Sequence, residues 1–299
     1  MLPVWLESYR YDFDALLAKQ HLAHAILFTG VEGVGKDVLA QWLAASLLCT
    51  TELKRPCNNC KSCLLRIAGS HSDLLVIDAS GSSIGVDAIR QLSLFMQGRA
   101  QQQVNKVVIL PSVHKLTEAA ANALLKTLEE PPQNSYLILH THAEATLPST
   151  LLSRCQRWPI KAQFGAEAQQ WLAMQSGKTV PDFLLAYCAG GPLKALSLIE
   201  TDDVANISAA LEALHAFFNK TLSLAECIKV LETITDLSRL FGWFIRYDVL
   251  AAGKITEERK IFAVHQLYNR WCRDAAIILG QNKQLALSAL LTELDKLQS

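Results

Sequence analysis

Gly30-Val31-Glu32-Gly33-Val34-Gly35-Lys36-Asp37 decides how this chain is read. Its spacing is G-x-x-x-x-G-K, the phosphate loop, but Asp37 stands where that loop carries Ser or Thr. An apolar run, Ala25 to Phe28, precedes it. A helical pattern follows in Val38, Leu39, Trp42, Leu43 and Leu47. Strand, Gly-rich turn and helix form the context in which backbone N–H groups and a helix N-terminus cradle phosphates. Lys36 suits the neutralisation of phosphate charge. Asp37 offers no hydroxyl to magnesium and brings a carboxylate into the first helical turn. A carboxylate about 4 Å from a phosphate charge costs roughly 4 kcal/mol at an effective dielectric near 20. Two readings stand here: weak or vestigial nucleotide binding by Gly30, Gly33, Gly35, Lys36 and Asp37, or a ligand-free strand-to-helix turn capped by Asp37. Turnover of ATP is not expected, because a second part is also missing. The apolar strand Val107 to Leu110 runs into Pro111-Ser112, where an ATPase needs acids to hold Mg²⁺ and activate water.

Outward from the loop, short apolar runs alternate with helical periods as far as about Trp158. Candidate strands are Ala25–Thr29, Asp73–Asp78, Lys106–Leu110, Ser135–His140 and Gln156–Ile160. Such alternation predicts an α/β fold, a parallel sheet with helices on both faces. Pro159 and the segment 161–165 mark a domain edge, and a short helical region then runs to about Thr201. All nine prolines lie at or before Pro192, and from Asp203 the chain is proline-free and strongly helical. The expected division is 1–160, 161–203 and 204–299. In the last part Leu237, Leu240, Phe241, Phe244 and Ile245 form one apolar stripe. Leu267, Tyr268, Trp271, Cys272 and Ala275 form another, and both are read as bundle core.

The chain has 299 residues, 51% of them apolar, which is ample for two or three packed cores and argues against disorder. Lys plus Arg equals Asp plus Glu at 28 each, so strong autonomous binding to duplex DNA is not expected. No basic start followed by an apolar run marks a signal peptide, and no apolar stretch is long enough to span a bilayer. The expectation is a cytoplasmic protein with no membrane partner, whose 8 cysteines are reduced or metal-bound.

Four of those cysteines cluster. Cys49, Cys57, Cys60 and Cys63 are spaced C-x7-C-x2-C-x2-C, with Asn58-Asn59 as turn residues. C-x2-C brings two thiolates to one metal, and four complete a closed tetrahedral shell, so the expected ion is a structural zinc within a module at about 49–63. Ligand type alone also admits an iron–sulfur cluster. Lys54, Arg55, Lys61 and Arg66 add modest positive charge, which keeps open a zinc-dependent nucleic-acid module. That alternative leaves the phosphate loop unexplained. Cys155, Cys188, Cys227 and Cys272 are scattered and read as packing residues.

Taken in order, the motifs carry a family resemblance over residues 24–155. The phosphate loop is followed within one helix by the four-cysteine insert. Gly85-Val86-Asp87-Ala88-Ile89-Arg90 comes next, then the run Thr117 to Pro132 containing Lys126-Thr127-Leu128-Glu129-Glu130-Pro131-Pro132, and then Ser153-Arg154-Cys155. The chain resembles the AAA+ clamp-loader subunits of bacterial DNA polymerase III, and its damaged loop resembles that of the delta-prime type. The resemblance implies an α/β AAA+ domain, a small helical lid and a C-terminal helical collar for oligomerisation. It implies gamma/tau motor subunits and a delta subunit as partners, with the sliding clamp and primer-template DNA reached through the assembled complex. It also implies that Arg154 is an arginine finger offered in trans, a planar guanidinium stabilising charge on a neighbour's γ-phosphate. The family's lid sensor, Gly-Ser-x-Arg, is here Gly190-Gly191-Pro192-Leu193-Lys194, with Leu193 at the arginine's place and Lys194 one residue late. Thr141 falls near the first sensor position. The competing reading is an ATP-hydrolysing gamma/tau motor, which needs a hydroxyl at position 37 and acids after Leu110.

Overall fold

The computed structural model describes residues 2–51, 55–102, 104–253, 255–277 and 282–298. Lys54, and with it part of the cysteine module, lies outside the described residues. Five strands form one parallel sheet in the order β2-β3-β4-β1-β5. They are β1 Ala25–Thr29, β2 Leu74–Val76, β3 Lys106–Leu110, β4 Ser135–Thr141 and β5 Gln156–Pro159. Strands β1 and β3 have the expected bounds, and β4 and β5 differ by one residue at their ends. The second strand is shorter than the expected Asp73–Asp78, although Ile77 N still donates to Ile109 O at 3.0 Å. The Asp73 carboxylate is fully buried and accepts the N–H groups of Gln101 and Gln102, both at 2.8 Å. The carboxylate ties down the chain that enters β3, while the Asp73 carbonyl accepts from Val107 N at 2.9 Å beside that strand.

Alternation along the strands assigns the helices to two faces. Ile26, Phe28, Val107, Ile109 and Ile138 pack with α1 (Glu7–Ala18) and α2 (Lys36–Leu48), centred on Phe13, Leu39 and Leu43. Ala25, Leu27, Val108, Leu110, Leu137 and Leu139 pack on the opposite face. Their partners are Ile89 and Leu92 of α4 (Val86–Gln97), Leu124 and Leu128 of α5 (Glu118–Glu129), and Leu151 of α6 (Ser149–Leu152). The central strands are buried on both faces, as a doubly covered parallel sheet requires. Between α2 and β2 lies α3 (Lys61–Ile67), which contains Cys63 and is capped by Cys60. Thr117 caps α5 by accepting from Ala120 N, and Pro131 follows its end.

By contacts the chain divides into two compact units, Met1–Lys178 with Cys188–Ala195, and Thr179–Tyr187 with Leu196–Ser299. The first unit holds the sheet and α7 (Ala166–Ser176). The second begins with α8 (Phe183–Tyr187), and α9 (Pro192–Glu200) crosses from one unit to the other. The second unit then holds α10 (Asp203–Phe218), α11 (Leu224–Leu231), α12 (Leu237–Phe244), α13 (Glu258–Ile277) and α14 (Lys283–Gln298). Its first apolar stripe is core throughout: Leu237, Leu240, Phe241, Phe244 and Ile245 are all buried. The second stripe is mixed, with Leu267 buried, Tyr268, Trp271 and Cys272 half-buried, and Ala275 exposed.

A candidate nucleotide-type site, a cysteine cluster and an outlying arginine

In an open parallel sheet the ligand crevice lies beyond the carboxyl ends of the strands. The phosphate loop follows β1 at that edge and leads directly into α2. Gly35 occupies the N-cap position with φ 104°, and no side chain caps the helix. Asp37 is therefore not the cap that one sequence reading assigned to it. It stands exposed in the first turn.

The loop's carbonyls are held by donors of the chain itself. Ile160 N–H donates to Thr29 O at 2.8 Å, and Leu193 N–H donates to Gly33 O at 2.8 Å. Trp5 Nε1 donates to Val34 O at 2.8 Å. Lys36, only 6% exposed, turns its ammonium back onto Gly30 O and Val31 O at 2.8 and 2.7 Å. Burial lowers its pKa to about 8, against the opposing pull of Asp37 and Glu32. Residues 191–194 are pressed onto the same loop. A Cβ on Gly33 would lie 2.4 Å from Lys194 N, and one on Gly191 would lie 2.0 Å from Glu32 O. Lys194 Nζ pairs with Glu32 at 3.4 Å. Leu193 thus lies against the loop, with no guanidinium at its position.

The neighbouring strand ends are equally changed. After β3, Pro111 leads into Ser112, which adopts a left-handed conformation (φ 51°) and caps a short 3₁₀ turn, Val113–Lys115. This turn presents His114, whose Nδ1 is 3.0 Å from Thr141 Oγ1 and whose ring lies 4.2 Å from that of His142. His140 sits on β4, with its pKa lowered to about 4. Burial is the main cause; Lys36, His114 and His142 add to it and Asp37 opposes it. Sequence reasoning named Thr141 but missed these three histidines. Their signal was the pair flanking Thr141 at the end of a strand, which becomes informative only when β3 and β4 are known to be neighbours.

The cysteines converge. The ligand atoms of Cys49, Cys57, Cys60 and Cys63 all lie within 4.8 Å of one another. Cys57 Sγ and Cys63 Sγ are 3.9 Å apart, close to the roughly 3.8 Å edge of a tetrahedron with metal–sulfur bonds near 2.3 Å. Backbone N–H groups point at the sulfurs: Cys57 N to Cys49 Sγ at 3.4 Å, Cys60 N to Cys57 Sγ at 3.3 Å, Cys63 N to Cys60 Sγ at 3.4 Å. The Thr51 hydroxyl and the N–H groups of Asn59 and Cys60 pull the Cys57 thiol down to about 5, whereas burial pushes Cys63 up to about 12. Four crowded sulfurs resist joint ionisation, and a soft divalent cation relieves that resistance. The residues fit a metal shell with no open position.

Arg154 lies at the other edge of the sheet. Strands β1 and β5 are parallel, with Ile26 opposite Gln156 and Thr29 opposite Pro159. From Ile26 to Gly30 the strand advances about 13 Å, and Arg154 precedes Gln156 by two more residues. The sheet's length thus separates this arginine from its own phosphate loop. Its Nη2 pairs with Glu129 Oε1 at 2.6 Å, and Nη1 donates to Thr150 O at 2.8 Å.

Comparison with known proteins adds to this geometry. Residues 7–164 match the family model described as DNA polymerase III, delta subunit. DNA polymerase III subunit delta′ of Yersinia pestis is 39% identical over 285 residues, covering 91% of this chain and 80% of that protein. The corresponding subunit of Haemophilus influenzae is 39% identical over 180 residues, covering 59% of this chain and 55% of its own length. The match thus spans little more than half of the Haemophilus protein. A DNA polymerase III gamma subunit-related protein from Thermotoga maritima superimposes with a TM-score of 0.52 at 20% identity, covering 96% of this chain and 99% of the other. This last likeness bears on the fold alone. Among the described residues no helix is long and apolar enough to cross a membrane.

Proposed function

The chain belongs to the DNA polymerase III delta-prime subunit family, and on that premise we propose that it serves a clamp loader as a catalytically silent AAA+ stator. In this reading Arg154 is offered in trans to the ATP site of a neighbouring gamma/tau motor subunit. The delta subunit, the sliding clamp and primer-template DNA are engaged through the assembly. Residues 161–203 act as a small lid and residues 204–299 as the collar that holds the subunits together. Cys49, Cys57, Cys60 and Cys63 hold one structural zinc, which supplies cross-linking and no chemistry, since four thiolates fill its shell.

The observation that carries the reading is the division of parts between the two edges of one sheet. At the carboxyl edge Lys36 is spent on Gly30 and Val31, Asp37 replaces a hydroxyl, and Pro111-Ser112 replaces acids. At the opposite edge an arginine sits too far along the sheet to serve that loop. In this reading the silent site leaves the outlying arginine for another molecule's phosphate. A motor role would require the hydroxyl and acids that this chain lacks.

The test is reconstitution. Motor subunits, delta, clamp and primed DNA are mixed with and without this chain, and ATP turnover and clamp loading are followed. The reading requires that the chain add turnover to the mixture while showing none alone. Equal rates with and without it would refute the proposal.

A further inference from the structure

Arg154 is held by a carboxylate from a different element. Glu129 closes α5, and its Oε1 accepts from Arg154 Nη2 at 2.6 Å. The second terminal nitrogen, Nη1, is used locally on Thr150 O at 2.8 Å, with Ser153 Oγ at 3.4 Å. The guanidinium is therefore fixed in two directions, by the turn that carries it and by α5. A planar group needs two such anchors for its plane to be set. Nε takes no part in these bonds. The side chains stay accessible, 34% exposed for arginine and 49% for glutamate, so the pair is worth little as a stabiliser. α5 is rigidly placed, with Leu124 and Leu128 in the sheet core and Pro131-Pro132 ending it.

We infer that Glu129 is a positioning residue for Arg154: it orients the guanidinium so that its free N–H edge meets the neighbour's γ-phosphate. The inference rests on the proposed role of Arg154 in trans. It differs from a parking role, in which Glu129 would withhold the arginine from phosphate. Positioning predicts that loss of the carboxylate slows hydrolysis, and parking predicts that it speeds it.

The experiment is a double-mutant cycle in the reconstituted loader, read as single-turnover ATP hydrolysis with clamp and primed DNA. Glu129→Ala should slow the Arg154-dependent phase about 5-fold, and Glu129→Gln, which keeps an acceptor, about 2-fold. In an Arg154→Ala background neither change should slow hydrolysis further, because Glu129 acts through the arginine. A purely structural role would leave the same fold-loss in both backgrounds and overturns the inference. A faster or unchanged rate for both variants, with Arg154→Ala slow, overturns it while leaving the finger intact. If Arg154→Ala has no effect, the finger reading fails and this inference falls with it. Should Glu129→Ala fail to assemble, Glu129→Gln carries the same test.

Discussion

The backbone N–H of Leu193 donates to the carbonyl oxygen of Gly33 at 2.8 Å. This one bond joins the segment 191–194 to the middle of the phosphate loop, and the packing around it leaves no slack. Gly33 has φ +73°, and an added Cβ would meet Lys194 N at 2.4 Å and Lys194 Cα at 2.9 Å. Both obstacles are backbone, so a rotamer change cannot relieve them.

Gly33→Ala is accordingly expected to destabilise the protein by about 2–4 kcal/mol: about 1 for the left-handed backbone, the rest for displacing the segment 191–194. Gly81→Ala is the control, since its nearest obstacle is 3.7 Å away and its φ lies outside the left-handed region. Urea unfolding of both variants measures the difference. A loss at Gly33 no larger than about 1 kcal/mol would mean that the segment around Lys194 yields freely to the added methyl.

ATP hydrolysis by the isolated chain is expected to be absent, and Asp37→Thr alone should not restore it. The restored hydroxyl still faces a strand ending in Pro111-Ser112 and a lysine engaged with Gly30 and Val31. Turnover by the wild-type chain that Lys36→Ala abolishes, within the usual enzyme range of about 1–1000 per second, would overturn the silent-site reading.

The acid limb of stability should carry a signature of His140. Its folded pKa is about 4 against an ordinary 6.5, because burial disfavours the cation. Between those values the unfolded chain binds the proton and the folded chain does not, so stability falls as pH drops from about 6.5 to 4. The loss is at most about 3 kcal/mol. His140→Gln should flatten the stability–pH curve in that window and leave it unchanged above pH 7. His114, whose pKa is also lowered by burial, keeps its own smaller slope in both proteins. Parallel curves for the two proteins would show that His140 titrates alike in the folded and unfolded chains, with no lowering by burial.

One tightly held zinc per chain is expected on metal analysis, lost in Cys60→Ser. Since Cys63 N–H and Cys60 Sγ also define the start of α3, the variant should lose order locally around residues 57–67 while the sheet survives. Protein purified without zinc, or with an iron chromophore, would reject the assignment.

Much of this was legible in the sequence, and what was not has a physical cause. The phosphate loop announced itself because glycine spacing is a backbone requirement, and the apolar runs gave β1 and β3 at their observed bounds because strands buried on both faces tolerate little else. β2 was called three residues too long; what sequence did not show at its start is that the Asp73 carboxylate is a buried acceptor for Gln101 and Gln102. The histidines beside Thr141 and the Glu129–Arg154 pair were not legible. Both depend on which strand ends and helix ends become neighbours, and a sheet ordered β2-β3-β4-β1-β5 does not follow chain order. Glu129 read from sequence was only the end of a helix before proline.

The last prediction concerns Arg154 itself. Arg154→Ala should fold and assemble, because the side chain is accessible and its ion pair contributes little to stability. It should lower clamp- and DNA-stimulated ATP hydrolysis, since on the proposed role in trans one motor site would lose a group that stabilises its transition-state charge. At that site the loss is expected to approach about a thousandfold, as for other fingers supplied in trans. Total turnover falls far less if the other motor sites keep fingers of their own, so single-turnover clamp loading is the sharper measurement. Arg154→Lys should rescue poorly. An ammonium restores the charge but cannot bond Thr150 O and Glu129 at once while presenting a planar edge to phosphate. Full rescue by lysine would reduce the role of Arg154 to simple charge. Unaltered clamp loading by the alanine variant would make it a surface arginine that serves only contacts within its own chain, such as those to Glu129 and Thr150, and the function in trans would have to be sought elsewhere on this chain.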